Sequence, residues 1–318
     1  MTSCLTIDAE IAALDPRQRL HYNFGMVLGV NDFRQEQAHF EWKHALGNEL
    51  LHGYGTVCGL ALSAAADAGG ADLRISVTPG FAVSPKGRWI QVPSLQCGLL
   101  GGWLAERPDT PPPGPARAYV SLCYQECQTE LAPVASTACA SEEDTRKPSR
   151  TLESFRLEFS AEAPVQAEEQ AMRRLGTLLH RVRVVPDASP PNDDSELLLA
   201  LVSGLAAADS PAASPPGDGP LHLPESLAAE VMRRVLVLWT TEVCAQLRER
   251  TQDTATDCLL LAALDFDLDN DGRPVVQLDP QGELLPNSLR IDESERPILV
   301  KGRVQQELFG LVGRMSGV

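Results

Sequence analysis

Three groups of residues in this 318-residue chain have the types and spacing that chemistry needs. The first is thiol. Cys123, Cys127 and Cys139 offer three thiolates, the soft ligands that hold zinc when a fourth donor such as His180 or Cys97 joins them. The Cys-x3-Cys step departs from the paired Cys-x2-Cys knuckles of a zinc ribbon. On a strand, Cys123 and Cys127 share a face only if that strand runs on past Glu126. The same residues admit a disulfide closing a Cys127–Cys139 loop, or thiols with no common role. The second group is carboxylate. Asp267, Asp269 and Asp271, followed by Gly272, match the first half of a calcium loop. The twelfth position, where a bidentate Glu belongs, is Leu278. Asn270-Asp-Gly272 is equally a hairpin turn. The third is Glu36/His39, Glu41/His44 and Glu49/His52, three Glu-x-x-His pairs of the kind that build di-iron sites in helical bundles. Five residues separate Glu36 from Glu41, about 500° of helical rotation, so successive pairs point in different directions. A solvated helix face is the plainer reading.

No Gly-x-Ser-x-Gly elbow, phosphate loop or dinucleotide fingerprint accompanies these groups. The sequence therefore implies a chain without catalytic residues and without a cofactor. Its charge narrows the partners: 27 basic against 43 acidic residues leave −16, the wrong sign for nucleic acid or an anionic membrane surface. Met1–Glu10 carries two acids and no base, unlike a secretory signal. The longest apolar run, Leu197 to Ala208, is too short to span a bilayer. A cytoplasmic protein with reduced cysteines is expected, with Cys58, Cys244 and Cys258 as small buried hydrophobes.

The elements that would position these residues follow from periodicity. Asp32 with Gln35 three residues on reads as a capping box opening a helix to about Leu51, with Gly53 as its stop. Its apolar stripe is Phe33, Phe40, Leu46, Leu50 and Leu51. Alternating segments then predict short strands at Val57–Ser63, Leu73–Thr78, Phe81–Val83 and Trp89–Val92, a spacing typical of sandwiches or barrels. Ala118–Gln125 and Phe155–Phe159 read as further strands, with Cys127–Arg150 a long hairpin excursion between them. From Pro164 the pattern turns helical: Gln166–Val182, Ser195–Ala207, and Glu225–Arg250 opened by Pro224. A hairpin of Cys258–Asp267 against Val275–Leu278 and a helix near Val300–Leu311 close the chain. The expected class is α+β: residues 1–163 a helix fronting a β-rich, sandwich- or barrel-like domain, residues 164–318 mainly helical with Pro/Ala/Ser linkers.

Several stretches look familiar together: Arg19-Leu-His-Tyr-Asn-Phe-Gly-Met-Val-Leu-Gly-Val-Asn-Asp-Phe33, His52-Gly-Tyr-Gly-Thr-Val-Cys-Gly-Leu60, Val77 to Ile90, Tyr119 to Cys127, and Arg296-Pro-Ile-Leu-Val300. In this order they resemble proteins encoded beside contractile injection systems and phage-tail-like particles. The resemblance spans roughly the first 160 residues and, loosely, the last 60. His21 and Val27 stand where Pro and Gln are typical. It implies a structural subunit, in a baseplate, fibre attachment or outer casing, whose partners are copies of itself and neighbouring subunits of the particle. Leu28, Val30, Phe33, Phe40, Trp42, Lys86 and Trp89 are the candidate contact residues. A surface glycan- or calcium-binding module and a metal-dependent hydrolase are the rival readings.

Overall fold

The computed structural model describes residues 14–108, 111–134, 146–187, 192–207, 219–254 and 256–307. The fold is α+β, and the chain divides into two compact units. Met1–Pro164 with Asp257–Val318 forms the first, and Val165–Thr256 the second. The expected helical region is thus split, because its closing strands return to the first unit.

The first unit opens with α1 (Val30–Leu51). Gly29, not Asp32, is its N-cap; Asp32 lies three residues inside and accepts the Gly29 N–H at 2.8 Å. The next strands are β1 (Gly55–Gly59), β2 (Leu62–Ala66), β3 (Leu73–Val77), β4 (Gly80–Val83), β5 (Trp89–Val92) and β6 (Gln96–Leu99). The single strand expected over Val57–Ser63 is broken. Gly59 and Leu60 both take positive φ, 67° and 58°, and a Cβ on Gly59 would fall 2.1 Å from the Pro79 carbonyl oxygen. Periodicity cannot register such a break, since Leu60 still faces the core, with none of its surface exposed. β1 then joins a sheet of order β1-β4-β5, and β2 one of order β2-β3-β6.

A one-and-a-half-turn helix, α2 (Leu100–Ala105), follows β6. Its first amides donate to the Asp72 carboxylate, at 2.6 Å from Gly101 and 3.1 Å from Gly102. Two long strands come next, β7 (Gly114–Pro133) and β8 (Arg146–Ser160), paired antiparallel from Tyr119↔Ser160 to Pro133↔Arg146. Where it is described, the expected excursion is therefore almost wholly a continuation of both strands.

In the second unit, α3 (Ala167–Arg181) runs into β9 (Val182–Val185), and α4 (Ser195–Ser203) leads by a 3-10 turn toward β10 (Leu221–Pro224). β9 and β10 pair in parallel, a small crossover unit that the sequence pattern does not reveal. The long helix is divided by a π-helical turn at Trp239–Val243 into α5 (Glu225–Leu238) and α6 (Cys244–Thr254). Leu198, Val202, Leu223, Val235 and Val243 lie at the centre of this unit's own core.

The chain re-enters the first unit as β11 (Cys258–Leu268), which lies between β7 and β12 (Leu289–Asp292) in a sheet of order β12-β11-β7-β8. Nearly every β11 side chain is buried. The expected partner, Val275–Leu278, is not a strand: after the turn at Asp269–Gly272 it meets β11 only through the Leu268↔Pro274 bridge and the Val275 N–H, which donates to Asp267 O at 2.8 Å. Among the described residues no sheet closes into a barrel. The three sheets of the first unit share one core instead, centred on Leu60, Ile75, Ile90, Val120, Leu122 and Leu261. Residues 302–307 are helical, and the rest of the helix expected there lies outside the described residues.

Candidate functional site

The first helix reverses the usual orientation of an amphipathic segment. Its buried residues are His39 and Asn48. Gln35 Nε2 donates to the carbonyls of Asp15 and Gln18, at 2.5 and 2.7 Å, and His39 Nδ1 lies 2.8 Å from the Pro16 carbonyl. Near the other end, Asn48 Nδ2 donates to Gly87 O at 2.8 Å. The polar side chains therefore fix the helix in place, and of the expected apolar stripe Phe33, Phe40, Leu50 and Leu51 face outward while Leu46 is half-buried. Phe33 is 54% exposed, Phe40 60% and Leu51 79%. Spaced seven and eleven residues apart, close to whole numbers of turns, these three form one stripe. Phe24, Val27 and Val30, which precede it in the chain, are all more than half exposed, and Leu28 is half-buried. Of the other expected contact residues, Trp42, Lys86 and Trp89 are exposed, with Trp42 tilted against the His39 ring.

Beneath the helix lies a polar network that the sequence did not suggest. The turn Ser84–Arg88 reaches α1 through Gly87, at φ 74°, where a Cβ would fall 1.9 Å from Ala45 O. Arg88 pairs with Glu126, and its guanidinium sits 4.7 Å from the centroid of the Tyr124 ring. Tyr124 donates to Glu126 Oε1 at 2.9 Å, and burial followed by this carboxylate pushes the phenol above its ordinary range. Burial, followed by the charge of Glu126, raises the Glu41 carboxyl as well. Two of the familiar stretches, Val77–Ile90 and Tyr119–Cys127, meet here. Two others meet at Arg296, which is 7% exposed. Its Nε donates to Thr56 Oγ1 at 3.0 Å and its Nη2 to Leu60 O at 2.9 Å, which ties the strand break to the end of the chain.

The cysteines differ from expectation. Cys123 and Cys258 stand directly opposite each other on β7 and β11 and form a disulfide. Cys127, on the same face of β7 because the strand does continue past Glu126, is disulfide-bonded too. Neither is a free zinc thiolate, and Cys258 is not a lone buried hydrophobe. Cys139 lies outside the described residues. Cys58 is exposed and free, as is Cys97. Cys244 is half-buried, and desolvation followed by Glu168 raises its thiol. Glu158 was not singled out by sequence. It joins the disulfide because residue 158 registers with Ser121, two positions from Cys123 on the same face.

The aspartates form turns. Asp269 Oδ1 accepts the amides of Asp271 and Arg273 at 2.9 and 2.8 Å, so its carboxylate closes its own loop. Asp279 does the same with Gln281 and Glu283, and the Ser84 hydroxyl accepts the Arg88 amide. All three loops place a glycine of positive φ fourth, which is a three-residue hairpin loop with a bulge. Among the described residues, Asp267, Asp269 and Asp271 do not converge as a metal-ligand group. The Glu-x-x-His pairs do not converge either: Glu36 accepts the Tyr22 hydroxyl at 2.5 Å, His39 holds Pro16, and Glu41 faces Glu126.

No known family model matches the chain, and neither does any curated protein. One solved structure it resembles is a type VI secretion system TssK-TssF-TssG baseplate subcomplex. The likeness is at 14% identity, covering 70% of this chain and 88% of that one, with a TM-score of 0.27. A superposition that loose carries no argument. No described helix is long and apolar enough to cross a membrane.

Proposed function

We propose that the chain is a non-catalytic structural subunit of a contractile, phage-tail-like particle, and that a neighbouring subunit covers the outer face of α1. The observation that carries this reading is the inverted helix. Phe33, Phe40 and Leu51, with Phe24, Val27 and Val30 before them, leave an apolar stripe in water on an element fixed by polar contacts. Large apolar side chains held in water along one element are the mark of an interaction surface. The ordered resemblance of the surrounding segments adds support, since the structure gathers most of them beside this helix or at Arg296. Baseplate, fibre attachment and outer casing are the positions such a subunit would take. Partners include further copies of the chain.

Two measurements test this. Light scattering coupled to size exclusion should give a mass several times 34.3 kDa, alone or with its neighbour co-expressed. Particles purified from cells should contain the chain. An intact, functional particle that lacks it would sink the reading. A chelator-sensitive hydrolytic activity would favour the enzyme alternative, and stoichiometric calcium the binding module.

A further inference from the structure

The Cys123–Cys258 disulfide, at one end of the β7–β11 pairing, has an unusual neighbour. Glu158 Oε1 lies 3.4 Å from Cys123 Sγ and 3.8 Å from Cys258 Sγ. A disulfide sulfur has no proton to give, so neither contact is a hydrogen bond in the oxidised pair. The other carboxylate oxygen, Oε2, is held by Arg156 Nε at 2.9 Å, which fixes the first against the sulfurs. Ser121 stands directly opposite Glu158 in the strand register, on the same face. It is 2% exposed, and its hydroxyl has no hydrogen-bond partner. Two sulfurs and one carboxylate oxygen thus fall within 4.8 Å of one another, beside a buried hydroxyl that lacks a partner.

The two sulfur–oxygen separations suit a cation, and the sulfurs, now bonded at 2.02 Å, would part to roughly 3.8 Å around one. Around tetrahedral zinc, with bonds of about 2.3 Å to sulfur and 2.0 Å to oxygen, neighbouring sulfur and oxygen ligands lie roughly 3.5 Å apart. We propose that Cys123, Cys258 and Glu158 bind one zinc-class divalent cation once the disulfide is reduced, with Ser121 as hydrogen-bond partner of a water in the fourth position. A dithiol supplies two electrons and two protons to the S–S bond and is itself oxidised to a disulfide. The two thiols formed then lose their protons to solvent as both sulfurs bind the cation. Arg156 plays the orienting part that outer-shell groups play at metal sites. Glu158 also lines a groove of about 500 Å³ between β6 and β8.

The test uses the full chain, reduced with a dithiol, desalted without oxygen and titrated with Co2+, then with Zn2+ as competitor. One Co2+ per chain is expected, with thiolate charge-transfer and tetrahedral visible bands that Zn2+ abolishes. The chain with its disulfide intact should show neither. Replacing the free Cys58, Cys97 and Cys244 by Ser together should leave the bands unchanged, as should Cys127→Ser. Cys258→Ser should lose the charge-transfer band. Glu158→Gln sits at a partly exposed position and should fold, yet bind Co2+ about tenfold or more weakly. A reduced chain that unfolds and recovers with Zn2+ also supports the site. Reduced protein that takes up no Co2+, that unfolds irrecoverably, or whose binding survives Cys258→Ser or Glu158→Gln undiminished overturns it.

Discussion

Arg296 shows how much one buried side chain can hold. Its guanidinium satisfies Leu60 O, whose residue has left the strand conformation, together with Thr56 Oγ1 and the Glu293 carboxylate. Removing it orphans buried acceptors, each costing about 1–3 kcal/mol. Arg296→Ala should therefore destabilise the chain by about 2–4 kcal/mol, read as a lower urea midpoint at unchanged slope. Arg296→Lys should recover little, because an ammonium cannot reproduce the planar fork. Gly87 acts through space and conformation together. Gly87→Ala puts a Cβ into Ala45 O at a φ that disfavours it, so the turn must withdraw from α1. Lost helical signal in circular dichroism and a lower melting temperature are expected. Glu41 gives a pH dependence. Its folded carboxyl titrates above the unfolded one, so ionisation costs the folded state stability, and the cost is present above the raised value. Glu41→Gln should stabilise the chain at neutral pH by less than about 1 kcal/mol. The gain should vanish as the pH falls into the ordinary glutamate range. Equal stability of the two proteins across the whole range would contradict this.

At the scale of elements, α1 and the strand break are the instructive cases. The extent of the helix was legible from its apolar spacing and from Gly53. Which face would be buried was not. Periodicity marks a stripe, and only the acceptors at Asp15, Pro16, Gln18 and Gly87 decide that the polar side packs inward. The double variant Phe33→Glu/Phe40→Glu should thus keep its melting temperature within a few degrees, since exposed positions contribute little to the fold. It should nevertheless lose assembly in light scattering. A large drop in stability would mean that the stripe packs within its own chain. The strands at Phe81–Val83 and Trp89–Val92 were readable because Pro and Gly bound them. β12, α2 and the β9–β10 pair were not, for each is too short to show a period. The thiol cluster was legible in half. Cys123 carried a signal, but its partners lie 35 and 135 residues away and are brought to it only by strand register. By contrast, the turn beginning at Ser84 and those at Asp269 and Asp279 share an oxygen-bearing first residue and a glycine three further on. That repeat was there to be read.

The whole molecule is one unit interrupted by another. In the first unit, β8 ends opposite Tyr119 and β11 begins opposite Cys123, on either side of β7. The ends to be joined are on the order of 17 Å apart, from strand rise and spacing. A Gly/Ser linker of about eight residues spans that distance. A chain in which it replaces residues 165–256 should retain the cooperative unfolding and near-ultraviolet dichroism of the first unit. Collapse of that signal would show that the inserted unit is required for the other's fold. The same arrangement orders events in time. A ribosome delivers the entire second unit before β11, β12 and Arg296 exist. Until then β7 offers an unpaired edge where β11 will lie, and Leu60 O lacks its donor. At about 5–20 residues per second this interval lasts many seconds. The first unit must therefore spend its early life as a waiting intermediate with an open sheet edge. Its yield in the cell should depend more on the speed of translation and on chaperone protection than on its final stability.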